Sequence, residues 1–237
     1  MLSEPQLTHR IEDDRQVPLL VWRLAAPALA ISSAVLGGGI GPCAWMVNAT
    51  VPMSYDRPDP AAHLAEIAAG LDLRGPGVGL LSGVDVADVV SAEQDGVRLW
   101  ATVGLGAPIQ AAPASCGDSR HQGRPESPHE GGHVGTINVV AWVPERLSAA
   151  ALVNAVATIT EAKTQAVRDL GLAATGTATD AVCVVCPPSG PVAEYGGPRS
   201  RWGEPLARAT HRAVLAGGEV NLSGIQSWSE RAGLSGR

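Results

Sequence analysis

One carboxylate set among hydroxyls, at the mouth of an apolar run, is the feature of this 237-residue chain best suited to chemistry. Asp180 closes Thr175-Gly176-Thr177-Ala178-Thr179 and directly precedes the apolar run from Ala181 to Cys186. A turn of small residues leaves backbone donors and hydroxyls free around the carboxylate. That can orient it as a base, or hold an anionic or amide group. The purely structural alternative is an Asx turn that starts the strand. Lys163 is the second singular residue. On the helix expected from Ser148 to Leu170, a step of about 100° per residue puts Leu152, Val156, Ile159, Ala166 and Leu170 on one stripe, and Lys163 falls within it. A lysine there either pairs with an acid or points into a polar cavity, or it stretches from the helix C-terminus to solvent and favours the dipole. Glu161 lies nearly opposite Lys163 on the wheel, and Thr164 lies at the stripe's edge.

Three other groupings carry weaker chemistry. Gly39-Ile40-Gly41-Pro42-Cys43-Ala44 matches G-x-G-x-x-A after a strand, but a dinucleotide fingerprint needs a helix to open there. Pro42 and the β-rich Trp45 to Val51 follow instead, which favours a tight turn with close packing. His121, His129 and His133, beside Cys116 and Glu130, can be drawn as a zinc site. Their spacing fits no regular ligand pair, and a solvated loop is the simpler reading. His63 and His211 fall on helix flanks, where boundary histidines with no catalytic part are the default. Cys183-x-x-Cys186 lies on an expected strand. Residues three apart there face opposite ways, so the pair suits two buried thiols rather than a chelate or a redox couple.

The elements that must position these groups follow from punctuation and period. A polar leader is expected over residues 1–16, then apolar strands over Val17 to Leu24, Ala30 to Leu36 and Trp45 to Val51. Asp59-Pro60 signals a helix start, with Leu64, Ile67, Ala68 and Leu71 turned inward. Strands are expected at Val78 to Val84, Val97 to Val103, Ile137 to Val143 and Ala181 to Cys186, and a last helix at about Glu204 to Leu215. Residues 111–133 read as a mobile loop, and 217–237 as a loosely ordered tail. The order strand, Val-Pro, helix, glycine-containing turn, strand occurs twice. One domain over 17–216 with an internal pseudo-repeat, 17–110 and 134–216, is therefore expected. The fold class is α+β, with α/β as the alternative.

Composition bounds the partners. With 45% hydrophobic residues and 17% charged, the chain can bury a core, and its net charge of −6 argues against a nucleic-acid partner. Phe is absent, so the core draws on Ala, Val, Leu and Ile. The uncharged stretch from Leu24 to Tyr55 is long enough to span a bilayer, but its prolines and glycines would expose backbone in lipid, so no membrane partner is expected. The acidic N-terminal segment lacks the pattern of a signal peptide, and a cytoplasmic location is expected.

Several motifs in series resemble a known family. Ala30-Ile31-Ser32-Ser33-Ala34-Val35-Leu36-Gly37-Gly38-Gly39-Ile40-Gly41, Val47-Asn48-Ala49-Thr50-Val51-Pro52, Gly135-Thr136-Ile137-Asn138, Glu161-Ala162-Lys163-Thr164, Thr175 to Asp180 and Tyr195-Gly196-Gly197 are similar to those of the adenosylcobinamide amidohydrolases. The likeness runs from about Val17 to Leu215. It implies hydrolysis of the amide joining aminopropanol to the corrin side chain of adenosylcobinamide, giving adenosylcobyric acid. A noncatalytic corrinoid-binding protein is the alternative. Amide hydrolysis needs a base or nucleophile, an oxyanion donor and an acid for the amine. On that reading Asp180 is the base, acting on water or on the hydroxyl of Thr177 or Thr179, and Lys163 serves the oxyanion or the amine. Asn138 orients the scissile amide, and Glu161 enters only through its motif. Trp45, Asn48, Thr136, Thr164, Arg199 and Trp202 are the expected substrate-binding residues. No metal and no cofactor is expected, since the corrinoid is the substrate; the oligomeric state is not legible.

Overall fold

The computed structural model describes residues 2–113, 135–224 and 228–233. Along them run β1 (Gln6–Glu12), β2 (Arg15–Ser32), β3 (Gly39–Thr50), α1 (Pro60–Gly70), β4 (Gly77–Ser82), β5 (Val90–Gln94), β6 (Val97–Val103) and β7 (Ile137–Trp142). There follow β8 (Arg146–Leu147), α2 (Ala149–Asp169), β9 (Ala181–Cys186), β10 (Val192–Ala193), α3 (Gly203–Leu222) and α4 (Trp228–Arg231). A mixed eight-stranded sheet in the order β4-β3-β2-β9-β7-β6-β5, with β1 beside β2, is packed by helices. The class is α+β.

The twofold motif becomes two parallel strand-helix-strand units. β3 and β4 pair in parallel across α1, and β7 and β9 pair in parallel across α2. Each unit leaves its first strand through Val-Pro, at Val51-Pro52 and Val143-Pro144. Each helix opens on a side-chain cap. The Asp59 carboxylate accepts from the N–H of Ala62 at 2.9 Å, and the Ser148 hydroxyl accepts from that of Ala151 at 3.2 Å. Gly171, with φ of +82°, turns the chain out of α2.

The two units meet across β2, which is one strand where the sequence suggests two. Its pairing with β3 shifts register between Arg23 and Ala28, a bulge that holds Pro27, and the ladder then resumes. The expected leader is also sheet: β1 pairs antiparallel with β2 from Gln6↔Val21 to Glu12↔Arg15. Asp13 and Asp14 both take positive φ, the two-residue turn that matches strand twist. At the other end α3 continues to Leu222, past the expected stop at Leu215, and α4 lies within the expected tail. The Gly39-Ile40-Gly41 segment forms the start of β3, with no helix opening after it, so the dinucleotide fingerprint is excluded by geometry.

The inner face of the sheet packs on itself. Leu20 and Trp22 of β2, Met46 of β3 and Leu80 of β4 share one core with Trp100 of β6, Val140 of β7 and Val185 of β9. Trp22 and Trp100 meet edge to face with ring centroids 5.9 Å apart, although β9 and β7 separate their strands. The sheet is therefore curled. The outer face carries α1 over one wing, with Leu64 and Ile67 on Leu19, Val21 and Val47. The helices α2 and α3 cover the other wing, with Leu152, Ile159 and Val214 on Val139, Ala141 and Val184.

Candidate active site

The Lys163–Asp180 pair sits where the β7-α2-β9 unit brings three chain segments together. Asp180 stands one residue before β9, and its carboxylate takes four donors. Oδ2 accepts from Lys163 Nζ and, at 3.1 Å, from the Thr177 N–H; Oδ1 accepts from the Thr177 hydroxyl and, at 2.9 Å, from the Ile137 N–H. The side chains of Lys163 and Asp180 are 10% and 11% exposed. Of the two readings of Lys163, pairing with an acid is the one realised. Little solvent screens the pair, and its partners at β7 and the 175–179 turn hold the carboxylate in one orientation.

Gly176 explains how the turn comes so close. A methyl group built on it would overlap both Asp180 Oδ2 and Lys163 Nζ, so the turn can wrap the ion pair only with glycine there. The turn is tied on both sides. Thr164 donates to the Thr175 carbonyl at 3.0 Å, and the Ile109 N–H donates to that of Gly176 at 2.8 Å. Thr136 and Thr179 share a hydroxyl–hydroxyl bond of 2.7 Å, and Thr179 also donates to the Gly135 carbonyl at 3.2 Å. Thr177, not Thr179, is thus the hydroxyl that meets Asp180.

On the inner face, one residue along β7, Asn138 begins a buried polar chain. Its Nδ2 donates to the Leu81 carbonyl at 2.7 Å and to Asn48 Oδ1 at 3.0 Å. Asn48 Nδ2 in turn donates to Thr102 Oγ1 at 3.0 Å. Thr102 follows the apolar Leu99-Trp100-Ala101 in β6 and was not among the expected site residues.

Other expected site residues lie elsewhere. Glu161 is exposed on the solvent side of α2, in a shallow groove with Thr160, Thr164 and Arg168, as its helical offset from the buried Lys163 requires. Trp45 is buried in the outer core, its Nε1 donating to the Gly75 carbonyl at 3.1 Å. Three residues along the same strand, Asn48 faces the opposite way, so the two do not line one wall. Arg199 and Trp202 lie beyond the C-terminal end of β9, whereas Asp180 precedes its start. Trp202 donates to Glu145 at 2.9 Å beneath Arg201, and Arg199 borders a groove with Asn154 and Tyr195.

The remaining titratable candidates fall into structural roles. Cys183 packs in the inner core and Cys186 in the outer one, so the C-x-x-C thiols face apart. Burial pushes the Cys183 thiol well up and raises that of Cys186. His63 is buried at 4% exposure rather than placed on a flank, between Tyr55 Oη at 3.1 Å and Glu12 Oε1 at 3.2 Å. Its desolvation lowers the imidazole pKa, against the pull of Glu12. His211 bonds Asp169 at 2.7 Å on the surface. Cys116, His121, His129, Glu130 and His133 lie outside the described residues. Among the described ones no group of three or more potential ligands is close enough to hold a metal, and no helix is long and apolar enough to cross a membrane.

The chain as a whole is similar to known proteins. Over 194 residues the chain is 28% identical to the adenosylcobinamide amidohydrolase of Methanosarcina mazei, covering 78% of this chain and 88% of that one. Over 202 residues it is 31% identical to the adenosylcobinamide amidohydrolase of Halobacterium salinarum, covering 83% of each. The crystal structure of the PH0078 protein from Pyrococcus horikoshii OT3 aligns over 93% of this chain and 84% of that one, at a TM-score of 0.47 and 11% identity. The adenosylcobinamide amidohydrolase family model matches residues 4–224. That span takes in β1 and all of α3, well beyond the separate motifs, and the chain belongs to the adenosylcobinamide amidohydrolase family.

Proposed function

We propose that this chain cleaves adenosylcobinamide with water at the amide that joins aminopropanol to the corrin side chain, giving adenosylcobyric acid and aminopropanol. Membership of the family supports the reaction, and the carboxylate shared by Lys163 and Thr177 is the observation that carries the assignment of the reacting centre.

The chemistry follows from who faces whom. The Thr177 oxygen attacks the amide carbonyl carbon while its proton passes to Asp180 Oδ1. The proton moves as the carbon–oxygen bond forms. Lys163 brings positive charge beside the developing oxyanion and protonates the departing nitrogen, so aminopropanol leaves as a neutral amine. The proton on Asp180 then returns to Lys163. Water attacks the resulting ester, its proton passes through Asp180 to Thr177 Oγ1, and the corrinoid leaves as the carboxylic acid. Water is the only co-substrate in this scheme, and no resident metal or organic cofactor takes part. The free, buried Cys43, Cys183 and Cys186 agree with a reducing, cytoplasmic setting.

The test is incubation with adenosylcobinamide and mass detection of both products. Release of aminopropanol is expected, and binding without release would select a carrier instead. Thr177→Ser should retain turnover and Thr177→Val should lose it. Full activity in Thr177→Val would leave the attack to water.

A further inference from the structure

The inner face of the sheet changes character along its strands. Apolar rows on β3, β4, β6 and β7 give way at one end to Asn48, Ser82, Thr102 and Asn138, each at most 2% exposed. A buried polar layer is retained at a cost unless every group finds a partner. Here two atoms do not: Asn138 Oδ1 and Ser82 Oγ are enclosed and make no hydrogen bond. The orientation of the Asn138 amide is not arbitrary. Its other end faces the Leu81 carbonyl, which can only accept, so nitrogen belongs there and oxygen is the orphan. Both hydrogens of that nitrogen are used, by Leu81 and Asn48, and Thr102 fixes Asn48 in turn. The chain of amides therefore presents a fixed, unpaired acceptor. Ser82, next to Leu81, adds a hydroxyl with a proton to give.

An acceptor and a donor without partners are the complement of a secondary amide, whose N–H gives and whose carbonyl takes. We propose that Asn138 Oδ1 and Ser82 Oγ read the scissile amide of the substrate, with Asn48 and Thr102 as positioning residues. This rests on the hydrolase reading above, and it assigns Ser82 a part in recognition. The layer begins one residue along β7 from Ile137, whose N–H holds Asp180 Oδ1, at the same end of the sheet. In the unliganded chain both atoms are closed to bulk water, so their partner arrives with the substrate or is an enclosed water. These alternatives predict different behaviour.

The experiment is Ser82→Ala in the full-length protein, read by melting temperature, by binding of adenosylcobinamide and adenosylcobyric acid, and by aminopropanol release. Removing an orphan hydroxyl should leave the melting temperature unchanged or higher. Release should fall about 10- to 100-fold in kcat/KM. Affinity for adenosylcobinamide should fall while that for adenosylcobyric acid, which lacks the amide, holds. Thr102→Val should act in the same direction, and more weakly. Unchanged kinetics in Ser82→Ala with an active wild type would mean an enclosed water only and overturn the assignment. Equal loss for both ligands would overturn it as well. A wild type that releases no aminopropanol would instead sink the hydrolase reading on which it stands.

Discussion

At the scale of single residues, Asp180 and Gly176 decide whether the site exists. Asp180→Asn retains an oxygen for the Ile137 N–H but removes the charge that balances Lys163 and the capacity to accept a proton. Aminopropanol release should fall by about 10²- to 10⁴-fold, with the far-ultraviolet circular dichroism unchanged. Gly176→Ala forces a methyl group into the space between Asp180 and Lys163. Activity should drop while substrate binding persists, which a spectral titration of the corrinoid would show. Asp180, Lys163 and the hydroxyls were legible in the sequence because each breaks a local rule: a carboxylate at a strand mouth, an ammonium on an apolar stripe. Ser82 and Thr102 were not, since a lone hydroxyl in an apolar run carries no periodic signal. Trp45 packs in the outer core and Trp202 bonds Glu145, and a large ring fits a core as readily as a ligand wall.

Elements were legible where a local cap or turn fixes them. The Asp59 and Ser148 caps, the Gly171 stop and the strands Val97–Val103 and Ala181–Cys186 follow from residue type and period alone. Ser148→Ala should cost about 1 kcal/mol, seen as a fall of about 2–4 °C in melting temperature. Two hairpins escaped. Asp13 and Asp14 turn β1 into β2, and Asp95-Gly96, both at positive φ, turn β5 into β6. Their strands alternate polar and half-buried residues at the sheet's margins, so composition alone resembles a leader or a loop. The bulge in β2 is the reverse case: Pro27 reads as a break, yet tertiary pairing carries the strand through it.

For the whole molecule, burial sets the response to pH. Desolvation holds the folded-state pKa of His63 below the ordinary imidazole value of 6.5. The unfolded chain therefore takes up its proton first, and stability is lost as pH falls from about 6.5 toward the lower folded-state value. Denaturant midpoints should decline across that interval, and His63→Gln should flatten the decline. Cys43 is pushed up to about 11 by burial. With Cys183 and Cys186 it should resist a thiol reagent at pH 8 in the native protein and react once the chain is denatured.

The long β2 strand sets how the molecule comes apart. Its first half holds β1, its second half holds β9, and β3 runs beside both. The two strand-helix-strand units therefore share no seam: neither can melt and leave its neighbour with a finished edge. Calorimetry should record a single heat-absorption peak whose van't Hoff and calorimetric enthalpies agree, so damage to one unit is felt at once in the other.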